Sequence, residues 1–481
     1  MTNRIAAQDR RWIALALLCV AQFVVVLDAS IVNVALPTIG RALKFTESDL
    51  PWVVNAYVLT FGGFLLLGGR MADLLGRRIV FMSGLVLFAL ASLAGGLAEN
   101  SGQLIAARTV QGVGAAILSP AALSIVTTTF RDGAERNKAL GVWGAVAGSG
   151  GAAGVLLGGA LTDGLGWQWV LWVNVPIGLI AAAIAPSLIA ESRSDAARRH
   201  FDLAGGVSIT AGLSLLVYAL LDANSAGWGS ARTIGLLIAA VALIAGFIAI
   251  ELRSRSPLVP FRIFRLRTLR GANVVGLLVG ASLFSMFFFI SLYMQQVLGY
   301  SPIKAGLSYL PLAVSIILSA GIASQLVTRI GFKQVTAMGM LLIASALVWF
   351  SQISAHGSFL GDILGPSLLA AVGLGFAFVT TTIAAVSGVS DSEAGLASGL
   401  INTTQQVGGA LGLAVLSAVS ISVTGTSRVP GVLTQGFHDA FLVGAGFVAL
   451  GLIATLTLIR SSDSRAHVAL GDRAVAAESP A

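Results

Sequence analysis

The chain is 481 residues long, 56% hydrophobic and only 10% charged, with a mean hydropathy of +0.90. Soluble domains carry about a quarter charged residues, so a water-soluble body is excluded and an integral membrane protein is expected. The net charge of +8 would suggest nucleic acid in a soluble chain; here membrane topology accounts for it, and no nucleic-acid partner is expected. Cys19 is the single cysteine, which excludes an intrachain disulfide.

Fourteen continuous apolar spans follow in order, at roughly 12–36, 50–69, 79–98, 103–127, 138–162, 168–190, 203–221, 232–252, 271–294, 303–328, 334–353, 360–386, 397–423 and 438–460. Their lengths are near the ~20 residues that cross a bilayer. They are too long and unbroken for the alternating strands of a β-barrel, and the 57 glycines suit closely packed helices. The Lys and Arg residues test the count. Only Arg41, Lys44, Arg232, Lys304 and Arg428 fall in odd-to-even connections, whereas 23 of the 29 lie at the two ends and in even-to-odd connections. That asymmetry puts both termini in the cytoplasm. The first span is too long for a cleavable signal, and no small-residue cleavage site follows it.

The expected fold class is therefore an all-α membrane protein of 14 transmembrane helices. An N-terminal six-helix bundle covers 1–190 and a charged cytoplasmic linker 191–202. Two inserted helices lie within 203–252, and a basic cytoplasmic linker covers 253–270. A C-terminal six-helix bundle covers 271–462, followed by a disordered tail at 463–481. The halves read as parallel copies. Gly150-Gly-Ala-Ala-Gly154 recurs as Gly408-Gly-Ala-Leu-Gly412, an offset of 258, and Gly76-Arg77-Arg78 is echoed by Gly331-Phe332-Lys333, an offset of 255.

Asp28 is the one acid that cannot be moved to a helix end or a loop. It lies roughly 12 Å from the outer end of the first span, and Arg108 roughly 9 Å from the outer end of the fourth, at 1.5 Å per residue. An ionised carboxylate at that depth costs several kcal/mol unless it is paired, hydrated or protonated. Burial disfavours its charged form and a neighbouring cation favours it, so a conformational change that alters either can load or release a proton. The alternative is a static ion pair, but a permanent buried pair is often no more stabilising than apolar packing.

The tightest local signature is Gly69-Arg-Met-Ala-Asp73-Leu-Leu-Gly76-Arg77-Arg78, the turn after the second span. Gly76 suits a left-handed turn, and Asp73, Arg77 and Arg78 could latch a cytoplasmic gate. Here the chain resembles the major facilitator superfamily, whose loop pattern G-x-x-x-D-x-x-G-R-R it matches. Further stretches resemble that family's fourteen-helix drug:proton antiporter branch. They are Leu27-Asp28 through Pro37, Arg108-Thr-Val-Gln111-Gly112-Val-Gly114, the span-5 glycines Gly150, Gly154, Gly158 and Gly159, and Trp167 through Asn174-Val-Pro176-Ile-Gly178. Two positions depart from the pattern: Val155 follows Gly154 where proline is usual, and Gln168 stands where a base is common. The resemblance implies two six-helix bundles rocking about a central cavity, with Asp28 as proton carrier, Arg108 as its partner and Asp73 as gate. It implies export of hydrophobic drugs across the bacterial cytoplasmic membrane, driven by protons as the coupling ion. An exporter of an endogenous lipid or natural product, or an uncoupled facilitator, is the alternative.

Polar groups within apolar spans are candidate cavity lining: Asn33, Asn55, Tyr57, Gln111, Asn273, Tyr309, Asn402, Gln405 and Gln406. The same side chains could equally serve as interhelical hydrogen-bond partners. The acids near the C-terminal helices, Asp362, Asp391, Glu393 and Asp439, all sit at ends or in loops, which favours neutral, weakly basic or lipid-like substrates over dications. No Lys precedes Ser or Thr, so there is no P-loop, and the four histidines form no metal cluster. No enzyme activity, metal or organic cofactor is expected. The expected partners are small hydrophobic substrates and the lipid bilayer, with the protein a monomer.

Overall fold

The computed structural model describes residues 2–46, 48–130, 134–192, 202–254, 257–389 and 394–465, and no β-strand occurs among them. The α-helices are α1 (Thr2–Ala42), α2 (Trp52–Leu75), α3 (Arg77–Gly96), α4 (Ser101–Thr129), α5 (Ala134–Gly164), α6 (Trp169–Trp172), α7 (Asn174–Leu188), α8 (Leu203–Ala226) and α9 (Ala231–Arg253). They continue with α10 (Arg267–Leu292), α11 (Pro302–Ser308), α12 (Leu310–Ile330), α13 (Phe332–Phe350), α14 (Gly365–Val386), α15 (Ala394–Thr424) and α16 (Pro430–Leu458). Thirteen segments among the described residues are long and apolar enough to cross a membrane. The fifth expected span is covered by α5, several of whose side chains lie outside the described residues. Two expected spans are each built from two helices, α6 with α7 and α11 with α12.

Continuous apolar sequence forms helix here because only a helix satisfies every backbone N–H and C=O within its own segment when no water is available. Ends are marked by side chains that accept orphan N–H groups. Asn100 takes the Gln103 amide at the start of α4, and Ser301 takes that of Lys304 ahead of Pro302 at the start of α11. Large apolar side chains such as Leu252, Ile238 and Leu318 point outward at more than 60% exposure, as lipid-facing positions do.

The chain divides into two compact units. Unit 1 comprises Met1–Ala219, Ile234–Leu258 and Ser301–Tyr309; unit 2 comprises Leu220–Thr233, Val259–Tyr300 and Leu310–Ala481. Inside each, helices meet through glycine. In unit 1 a Cβ on Gly84 would lie 2.8 Å from the Leu118 backbone N and one on Gly114 2.7 Å from the Phe88 backbone N, so α3 and α4 touch backbone to backbone. In unit 2, Gly339 of α13 and Gly373 of α14 face each other's carbonyls in the same way. The Gly76 and Gly331 turns, paired by their sequence offset, both have positive φ, 114° and 86°.

The linker expected at 191–202 is described only at Glu191, Ser192 and Asp202. The end of the C-terminal bundle lies beyond the expected boundary at 462. Thr268 Oγ1 donates to Asp463 Oδ2 at 2.5 Å, and the Lys333 backbone N–H donates to Ser464 Oγ at 3.2 Å. The rest of the expected tail, 466–481, lies outside the described residues.

Because α3 and α4 have no free space between them, Gly114→Val forces them apart. Overpacking of this kind costs about 1–3 kcal/mol, so the thermal midpoint in detergent should fall by several degrees. An unchanged midpoint would show that the seam is loose.

Candidate functional site

Asp28 and Arg108 form an ion pair in the interior of unit 1, Nη1 donating to Oδ2 at 2.5 Å, with the two residues 0% and 1% exposed. Taking two charges out of water is compensated only when their remaining hydrogen-bonding capacity is also met. It largely is. Arg108 also donates from Nε to the Val53 carbonyl at 3.0 Å and from Nη1 to Gln111 Oε1 at 2.6 Å. Its guanidinium lies 4.3 Å from the centre of the Tyr57 ring, a cation–π contact that strengthens on desolvation. On the other side, Asp28 Oδ1 accepts from Gln111 Nε2 and from Asn174 Nδ2, each at 2.8 Å. Gln111 Nε2 also donates to Ser92 Oγ at 2.6 Å, and the Tyr57 hydroxyl donates to the Val25 carbonyl at 3.2 Å. Side chains from α1, α2, α3, α4 and α7 thus close round one carboxylate.

The span-5 glycines set where α1 lies. A Cβ on Gly150 would come within 3.0 Å of Val26, one on Gly154 would overlap Ser30 Oγ and lie 2.8 Å from the Leu27 carbonyl, and one on Gly158 would be 2.6 Å from the Ile31 carbonyl. These contacts hold against α5 the stretch of α1 that carries Asp28. Gly159 faces α11 instead, 2.6 Å from the Pro302 carbonyl by the same measure.

The Gly69–Arg78 turn holds a second charged group. The Arg78 and Ile79 backbone N–H groups open α3 without helical partners, and Glu191 fills the gap, accepting at Oε1 and Oε2 at 3.1 and 3.2 Å. Its carboxylate also lies 3.7 Å from Arg78 Nε, and Arg78 Nη1 donates to the Ile189 carbonyl at 3.2 Å. An anion at a helix N-terminus is favoured by both the free donors and the dipole. A Cβ on Gly76 would stand 2.7 Å from Glu191 Oε1, so glycine is required there twice over, for its φ and for its room. Arg77 receives its backbone partner from the Ser192 carbonyl at 3.0 Å. Gly69 is less constrained, with only Pro120 Cβ at 3.6 Å. The Asp73 side chain lies outside the described residues.

The remaining polar candidates divide. Tyr57 and Gln111, expected as cavity lining, are fully buried around the ion pair. Asn55 is also fully buried, and neither of its amide atoms has a hydrogen-bond partner. Asn33 donates back to the Ala29 carbonyl. Tyr309 falls in unit 1 and is buried. In unit 2, Asn402 is exposed and bonded to the Ser398 carbonyl, Gln406 is half-buried, and Gln405 packs against Gly276 and Gly280 of α10. Asn273 accepts from Thr404 at 3.2 Å. Asp362 caps the Ser354 and Ser358 backbone N–H groups, and Asp439 is half-buried; Asp391 and Glu393 lie outside the described residues. Sequence reasoning missed Ser92 and Glu191 and gave Asn174 no role. A polar residue in the Trp167–Gly178 stretch was a usable signal for Asn174; a serine in an apolar helix offered none.

Residues 18–413 match the Major Facilitator Superfamily model. The chain belongs to that superfamily. It is a multi-pass membrane transporter, not an enzyme. It is 42% identical to the cephamycin export protein of Amycolatopsis lactamdurans over 95% of this chain and 94% of that one. It is 38% identical to the puromycin resistance protein of Streptomyces alboniger, over 93% and 90%. A solved bacterial homolog of the human lysosomal transporter Spinster shares its fold, with a TM-score of 0.68 at 16% identity, covering 95% of this chain and 98% of that one.

Removing one member of a buried ion pair leaves the other charge stranded, at about 3–5 kcal/mol. Asp28→Asn should therefore lower the thermal midpoint more than the double variant Asp28→Asn/Arg108→Gln does. A double variant that loses the sum of the two single losses would mean that the pair is not coupled. Glu191→Ala should destabilise by about 0.5–2 kcal/mol, the range of a lost N-cap, and raise amide exchange in the first turn of α3; unchanged exchange there would contradict the capping role.

Proposed function

We propose that the protein is a proton-coupled antiporter that exports small hydrophobic molecules of the antibiotic class across the bacterial cytoplasmic membrane by alternating access. The observation that carries this reading is the Asp28–Arg108 pair, a carboxylate at zero exposure that accepts hydrogen bonds from one cation and two amides. Protonating Asp28 discharges the carboxylate and weakens its attraction to Arg108. A change in helix packing that separates the two groups favours protonation, and one that reunites them favours release. The names of the relatives, which export cephamycin or confer resistance to puromycin and lincomycin, support efflux of such compounds. Fourteen crossings with both termini cytoplasmic fit the Lys and Arg distribution. Asp73, with Arg77 and Arg78, serves as the cytoplasmic latch in this reading.

A second reading, export of a metabolite made by the same cell, is favoured by the cephamycin export protein among the relatives. It changes the substrate and keeps the coupling.

In everted vesicles with an imposed pH gradient, uptake of puromycin, lincomycin and a cephamycin should be gradient-dependent for at least one compound. Asp28→Asn should abolish that dependence while retaining substrate exchange without a gradient, which shows the variant is folded. Gradient-driven uptake surviving in Asp28→Asn would defeat the proposal. For the latch, Asp73→Ala should slow turnover several-fold with little change in substrate affinity, and a loss confined to affinity would count against it.

A further inference from the structure

On α6 and α7, two buried side-chain polar atoms have no hydrogen-bond partner among the described residues. Asn174, fully buried, donates its amide N–H to Asp28 but leaves Oδ1 without a donor, and Nε1 of Trp172 donates to nothing. Polar groups so placed are rare and call for a physical reason, an ordered water among them. Both border α3 at successive turns. Asn174 Nδ2 lies 3.4 Å from Ser92 Oγ, and Trp172 covers Gly96, where any Cβ would overlap the indole. Ser92 and Gly96 are one helical turn apart, about 6 Å along the axis. Gly96 is the last residue of α3, and the connection beyond it carries the exposed polar residues Glu99 and Asn100. The open end of α3, the indole N–H, the free amide oxygen and Asp28 Oδ1 thus follow one another inward. Trp172 can only donate and Asn174 Oδ1 can only accept, so waters that accept from the first and donate to the second satisfy both. A buried water needs two to four such partners.

We infer that this is the route by which protons reach Asp28: a short file of waters seated by Trp172 Nε1 and Asn174 Oδ1, running from the α3–α4 connection to Asp28 Oδ1. The inference rests on the proton-coupled reading above. In the transfer, the last water gives a proton to Oδ1, an O–H bond forming on Asp28 as one breaks on the water. Each water behind it makes good the loss, so the net change is one proton taken from solvent. The pair then carries only the charge of Arg108. Among the described residues the charged or titratable groups facing Asp28 are Arg108 from α4 and Tyr57 from α2. From α3 and α7 come Ser92 and Asn174. The exposed Glu99 stands in the connection at the mouth of the route, which from there to Asp28 holds no further acid among the described residues. The Lys and Arg distribution puts the α3–α4 connection outside the cell, the side from which an exporter draws its protons. Asn174 and Trp172 are positioning residues here, acting through water.

Trp172→Phe tests this directly, because it keeps an aromatic six-membered ring and removes the N–H, which has no protein partner. Purified protein is given a rapid drop in pH and the carboxylic acid C=O infrared band of Asp28 is followed in time, with Asp28→Asn as the blank. The band should rise about tenfold more slowly in Trp172→Phe, with its final amplitude unchanged. Asn174→Leu, lacking the acceptor, should slow it at least as much. A band that rises at the wild-type rate in both variants would overturn the route and leave coupling intact. The absence of any Asp28 band in wild-type protein would overturn the coupling itself.

Discussion

One constraint governs the interior of unit 1: a guanidinium and a carboxylate removed from water must satisfy nearly every donor and acceptor they carry. Arg108 meets it with the Val53 carbonyl, Gln111, Asp28 and the Tyr57 ring, and Asp28 with Gln111 and Asn174. Helices α1, α2, α4 and α7 are tied to one another through these contacts, and Ser92 of α3 joins them through Gln111. The arrangement is stable only while the two charges stay together, and the proposed proton coupling rests on that. A single proton removes the attraction that organises it.

The glycines set the position of the helix that carries Asp28. With no Cβ at Gly150, Gly154 and Gly158, the backbone of α5 rests directly on Phe23 through Ile31 of α1. A shift of α5 is passed to the turn bearing Asp28 without side chains to absorb it. Val155, where the superfamily pattern has proline, leaves α5 continuous from Ala134 to Gly164. At the Gly76 turn the same principle appears with charge added, since the Glu191 carboxylate fits only because Gly76 lacks a side chain. In unit 2 the corresponding cap is Ser464 at the Gly331 turn, a neutral hydroxyl. The two turns have similar backbones and different electrostatics.

Much of this was legible in the chain because membranes make sequence explicit. Long apolar runs give helices, the positions of Lys and Arg suggest the fold of the chain across the bilayer, and an acid at Asp28 with a base at Arg108 at similar depth announces a pair. Gly76 could be read as a left-handed turn from its neighbours. What could not be read was whatever depends on helix rotation. Tyr57 and Gln111 look like cavity lining in a one-dimensional list of polar residues, yet they face the ion pair. Glu191 reads as linker charge, because nothing local links it to a helix start more than a hundred positions earlier. Ser92 gives no signal at all in an apolar run, and only the packing of α3 on α4 and α7 brings it to Gln111 and Asn174.

In the proposed cycle Asp28 changes protonation as substrate is exchanged, and proton release on binding measures that directly. Purified protein in weak buffer near neutral pH, titrated with a compound it has been shown to transport, should release close to one proton per molecule bound, and Asp28→Asn should release none. Saturable binding without proton release in the wild-type protein, at any pH between 5 and 9, would contradict it.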